Sequence, residues 1–138
     1  DNVSYDPFLS SQNEAPKAPG MKYKHYAPDA PMRAFIGNPK DVAEAFNNVI
    51  HEQGTKRGAF LVSQETYDLL KDSVHGEFHV YGHSGDAVAL AHDFYKTLHH
   101  FNECDVDYIL AEGVVNTGLG VAVMNRMEKA CAGHIIYL

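Results

Sequence analysis

The spacing of hydrophobic positions changes character at about residue 32. Before that point five prolines (Pro7, Pro16, Pro19, Pro28 and Pro31) fall among Ser, Asn and Gly, with neither a helical nor a strand period. That pattern predicts an extended linker or tail over residues 1–31 and a folded domain over residues 32–138. Short apolar runs then alternate with amphipathic stretches. Residues 33–36, 59–62, 78–81, 106–111 and 134–138 are predicted strands, each brief, apolar and bounded by turn residues. Between them lie four predicted helices. Asn38 followed by Pro39 supplies an N-cap and a proline at the first helical position, and Val42, Phe46, Val49 and Ile50 recur at helical spacing up to Gly54. Ser63 caps a short helix carrying Tyr67 and Leu70. Ser84 or Asp86 opens a long one with Ala87, Ala91, Phe94, Leu98 and Phe101 on one face, and residues 120–132 form the last, with Val121, Met124, Met127 and Cys131 inward. Parallel strands need crossovers, and helices supply them on both faces of a sheet. The expected fold is a three-layer, Rossmann-like α/β sandwich around a mainly parallel five-stranded sheet.

Composition narrows the function classes. With 138 residues, 45% of them apolar, the chain is long enough to fold without disulfides or metal. A net charge of −7 argues against direct nucleic-acid binding, which needs a basic face. No apolar run approaches a membrane span and no signal peptide opens the sequence, so no membrane contact is expected. Cys104 and Cys131 form no C-x-x-C pair, which points to a reduced, cytoplasmic setting.

Ligands of doubly wound sheets bind at the carboxyl ends of strands, which singles out two loops. Residues 81–86 (YGHSGD) hold the position of a nucleophile elbow, but Gly85 directly follows Ser84 and the G-x-S-x-G pattern fails; a helix-capping turn explains the segment. Residues 112–120 (EGVVNTGLG) bring Gly113, Gly118 and Gly120 to the start of a helix. They suit either an anion-binding loop or a loop that needs glycine for backbone reasons. Asn125 and Arg126 stand among Val123, Met124 and Met127, which suggests a buried or interface hydrogen-bonding role for the pair; the plainer alternative has Arg126 snorkelling to solvent. No metal site is expected. His75, His79 and His83 flank a strand signal that would set the outer pair ~27 Å apart, His99 and His100 are helix neighbours that point in different directions, and no tetrahedral set is expected to be completed by a Cys or carboxylate.

Two motifs together carry a family resemblance. Residues 18–31 are APGMKYKHYAPDAP and residues 109–130 are ILAEGVVNTGLGVAVMNRMEKA. They resemble the S/APGMKYRHYAP linker and the terminal GLG-x-A-x-x-NR-x-x-KA helix of two-domain threonylcarbamoyl-AMP synthases (L-threonylcarbamoyladenylate synthases). The likeness runs from about Ala18 to Ala132. It departs at Lys24, where the family has Arg, and a lysine would make a weaker bidentate contact.

The resemblance implies an accessory C-terminal domain and its linker. The family's nucleotidyltransferase activity, which converts ATP, L-threonine and bicarbonate into threonylcarbamoyl-AMP and pyrophosphate for tRNA modification, resides in an N-terminal catalytic domain. This chain is then expected to contain no catalytic residue and no cofactor of its own, to be inactive alone, and to partner the catalytic domain, where ATP and Mg bind. Lys22, Tyr23, Lys24, His25 and Tyr26 combine cationic donors with stacking faces in a proline-stiffened segment. The resemblance casts them as a lid over that catalytic cleft; the alternative is a plain tether. A nucleotide- or metabolite-sensing module, binding at residues 113–120, is the competing function.

Overall fold

The computed structural model describes residues 27–138. Its elements follow the order β1 (Met32–Ile36), α1 (Pro39–Gln53), β2 (Gly58–Val62), α2 (Gln64–Leu70), β3 (Glu77–Val80), α3 (Ala87–Asn102), β4 (Tyr108–Glu112), α4 (Gly120–Ala130) and β5 (Ile135–Tyr137). The capping residues do what their chemistry dictates. Asn38 Oδ1 accepts from the Asp41 amide at 2.9 Å, and Ser63 Oγ accepts from Thr66 at 3.2 Å. Asp86 rather than Ser84 caps α3, its carboxylate accepting from Ala89 at 3.0 Å. Gly54 closes α1 in the left-handed region, at φ 64°, which a side chain would disfavour.

The sheet has the order β3-β2-β4-β1-β5 and all its pairings are parallel. Side chains alternate across it. Phe35, Phe60, Val62, Tyr108 and Leu110 pack under α1 and α2 with Val42, Phe46 and Leu70. Ala34, Ile36, Ala59, Leu61, Ile109 and Ala111 pack under α3 and α4 with Phe94, Leu98, Met124 and Met127. The central strands β2 and β4 are buried throughout. This is the three-layer sandwich, with the sheet entirely parallel.

One helix face differs from the expectation. Val121 is exposed, and Val123 takes its place in the core beside Met124, Met127 and Ala130. Met124, Met127 and Cys131 face inward as expected, and Val121 alone lies off the buried stripe, which follows the 3.6-residue period through Val123, Met124, Met127 and Ala130. The chain enters the domain at the amino edge of the sheet. Pro31 accepts a β-type hydrogen bond from Ile109 at 2.9 Å, and the Asp29 amide donates to Asn102 Oδ1 at 2.9 Å.

Candidate functional site

The loops leaving β1 and β2 turn to the α1/α2 face, whereas those leaving β3 and β4 turn to the α3/α4 face. Adjacent strands whose loops diverge open a crevice at their carboxyl ends, where doubly wound folds bind ligands. Buried polar groups lie beneath this end of the sheet. Glu112, the last residue of β4, is buried, and its Oε1 accepts the Ser63 amide at 2.7 Å from the neighbouring end of β2. Burial pushes the Glu112 carboxyl above its ordinary range, outweighing the hydrogen bonds it receives from Ser63 and Thr66. Tyr81 is also buried, and no described protein group is within hydrogen-bonding reach of its hydroxyl. Burial, followed by the fields of Glu112, Glu65 and Asp86, holds that hydroxyl firmly protonated.

The rim is built by the two loops that the sequence singled out. Glu65 ties the β3–α3 loop down, accepting from the Ser84 amide at 2.8 Å and pairing with His83 Nδ1 at 3.0 Å. These contacts, the Ser84 hydrogen bond above all, lower the Glu65 carboxyl below its ordinary value. Between this loop and the β4–α4 loop lies a cleft of about 340 Å³, lined by Asp86, Val88, Val114, Val115, Leu119 and Gly120 among others. Its lips are apolar and exposed: Val88, Val115 and Leu119 are 62%, 65% and 75% accessible.

The glycines of the β4–α4 loop have separate explanations. Gly113 is pressed against Ile36 and Met124, and a Cβ there would fall 2.9 Å from Ile36 Cγ1. A Cβ on Gly120 would strike the Val115 carbonyl oxygen, and Gly118 sits in the left-handed region at φ 54°. The first amides of α4 are already used within the loop, Gly120 donating to the Thr117 carbonyl at 2.9 Å and Val121 to the Gly118 carbonyl at 3.3 Å. On α4 itself the polar pair divides: Asn125 is exposed, while Arg126 is only 8% accessible and therefore does not snorkel to solvent. Lys22, Tyr23, Lys24, His25 and Tyr26 lie outside the described residues.

Sequence reasoning missed Glu112 as a buried group, because a carboxylate directly before Gly113 looks like the start of a loop. The usable signal was its position at the end of a strand that is apolar on both faces. The strand histidines are partnered separately, His79 Nε2 with Asp93 Oδ2 at 2.7 Å and His83 with Glu65. Among the described residues, a set of donors able to converge on one metal ion lies elsewhere, at the amino edge of the sheet, and consists of Glu77, His100 and Cys104.

Residues 2–132 match the family model described as the C-terminal domain of threonylcarbamoyl-AMP synthase. The chain belongs to this family. It is 37% identical over 136 residues to the threonylcarbamoyl-AMP synthase of Bacillus subtilis, covering 97% of this chain and 37% of that protein. It is 41% identical over 124 residues to the Pyrococcus abyssi synthase, covering 87% and 33%. The chain thus spans about a third of the length of the curated relatives it matches. Among solved structures, P. abyssi Sua5 complexed with L-threonine superposes with a TM-score of 0.63 at 34% identity, over 91% of this chain and 35% of that one. The C-terminal Sua5 domain of Pyrococcus horikoshii gives a TM-score of 0.56 at 28% identity, over 81% of this chain and all of that one. The family's C-terminal domain therefore exists as a folded unit by itself.

Proposed function

We propose that the chain is the accessory C-terminal part of a two-domain threonylcarbamoyl-AMP synthase, with Lys22, Tyr23, Lys24, His25 and Tyr26 covering the nucleotide site of the catalytic part. The carrying observation is the family match over residues 2–132 in a chain that spans only 37% of a full-length relative. In this reading ATP, Mg, L-threonine and bicarbonate bind to the catalytic part of the two-domain parent, which makes threonylcarbamoyl-AMP for tRNA modification in the cytoplasm. Among the described residues no helix is long and apolar enough to cross a membrane. The sensing alternative gains little from the carboxyl-edge crevice. Asp86 lines the cleft there, and a nucleotide's phosphates would meet its carboxylate.

The reading is tested in two steps. The 138-residue chain alone is expected to release no pyrophosphate from ATP in the presence of threonine and bicarbonate; release at the rate of a two-domain relative overturns the accessory assignment. In the two-domain parent, joint substitution of Tyr23, His25 and Tyr26 by alanine is expected to lower the rate and the retention of threonylcarbamoyl-AMP, and nucleotide should protect the wild-type linker from proteolysis. Unchanged rate, retention and cleavage would reduce the segment to a tether.

A further inference from the structure

The amino edge of the sheet, opposite the crevice, holds a second constellation. His100 lies in the last turn of α3, and Cys104 follows four residues later, just beyond the helix end. Two tight turns, Glu103 donating to the His100 carbonyl at 2.9 Å and Cys104 to the Phe101 carbonyl at 3.0 Å, bring the thiol back under the imidazole. Cys104 Sγ then sits 3.4 Å from His100 Nε2. Glu77, the first residue of the edge strand β3, completes the set, with one ligand atom from each of the three residues lying within 4.8 Å of the others.

We propose that Glu77, His100 and Cys104 form a zinc(II) site with one position left for water. The distances fit. With Zn–S near 2.3 Å and Zn–N near 2.05 Å, the S···N edge of a tetrahedron is about 3.6 Å, close to the separation already present. The donor set fits as well, since a thiolate with an imidazole selects zinc over the hard, oxygen-seeking magnesium. Binding of a divalent cation through the thiolate displaces the thiol proton to solvent. Access is available, because Glu77 also lines an open cleft of about 410 Å³ with Arg57 and His75. The bound ion would clip the end of α3 to the start of β3, on the edge of the sheet away from β1 and β5. Spacing along the chain hides this set, because Glu77 is brought in from 23 residues before His100 by the β3–α3 crossover.

Cobalt(II) is the direct probe, titrated into the reduced, untagged 138-residue chain. The expected result is one equivalent bound, with intense visible bands of a tetrahedral site and a near-ultraviolet thiolate-to-cobalt band, all displaced by zinc. Cys104→Ser should abolish the thiolate band. His100→Ala and Glu77→Gln should each weaken zinc binding by at least about tenfold, since even outer-shell changes cost about that much. His99→Ala, one residue away, should leave binding unchanged. Zinc should also protect Cys104 from thiol reagents. All four side chains lie at or near the surface, so circular dichroism should report an intact fold in each variant. Absence of the thiolate band, its survival in Cys104→Ser, or indifference to both His100→Ala and Glu77→Gln would overturn the site.

Discussion

A carboxyl group buried at the end of a strand holds its proton more tightly than one in water, and Glu112 carries that property into the folding equilibrium. Its folded pKa lies above the ordinary value of 4.5, because burial disfavours the charge more than Ser63 and Thr66 favour it. The unfolded chain therefore ionises first as pH rises. Stability contributed by Glu112 is full below pH 4.5, falls as pH climbs from there to the folded pKa, and is level beyond it. Glu112→Gln keeps an acceptor for the Ser63 amide and removes the ionisation, so it should be more stable than the wild type at pH 7 and should flatten this part of the profile. Glu112→Leu should instead lose about 1–3 kcal/mol, the cost of a buried amide left without its acceptor. Urea unfolding at several pH values distinguishes these outcomes; a Gln variant less stable than wild type at neutral pH would mean that the ionised carboxylate is favoured by the fold. The two thiols divide in a similar way. Burial pushes Cys131 up to about 12, so in metal-free native protein a thiol reagent should reach Cys104 alone until the chain unfolds.

At the scale of the element, the turn from β4 into α4 depends on close approach more than on any bound group. Gly120→Ala would drive a methyl group into the Val115 carbonyl, a backbone atom that cannot swing away. The expected loss is about 1–3 kcal/mol, typical of overpacking, measured as a lower denaturation midpoint with an unchanged slope. Gly118→Ala carries conformational strain but meets no neighbour, and should cost less. Such contacts are invisible in a sequence, where Gly113, Gly118 and Gly120 look alike and suggest phosphate binding as readily as tight packing. Helix starts were legible because they are local chemistry: Asn38-Pro39, Ser63 and Asp86 each cap a helix through their own side chain. The alternation of buried strands and amphipathic helices was legible for the same reason. Strand order was not, since it depends on which way each crossover travels; nor was the meeting of Ser63 with Glu112, or of Glu77 with Cys104, both of which need that order first.

For the whole molecule, the two ends of the sheet have different surfaces and therefore different uses. The amino edge receives the incoming chain, with Asp29 and Pro31 hydrogen-bonded to Asn102 and Ile109. The carboxyl edge exposes Val88, Val115 and Leu119 around a shallow cleft, an apolar grouping that solvent alone does not explain. In the reading proposed above, the catalytic part of a two-domain parent would be the occupant of that edge, since this chain covers only 37% of the B. subtilis relative. A charge placed there should disturb docking and leave the domain intact. Leu119→Glu, at an exposed position, should change the stability of the isolated chain by no more than about 0.5 kcal/mol. In the two-domain parent the same substitution should speed proteolysis of residues 18–31 and separate the two parts in small-angle scattering. Scattering and cleavage identical to the parent would remove the catalytic part as occupant. If the isolated chain is dimeric and Leu119→Glu makes it monomeric, the edge joins copies of this domain instead.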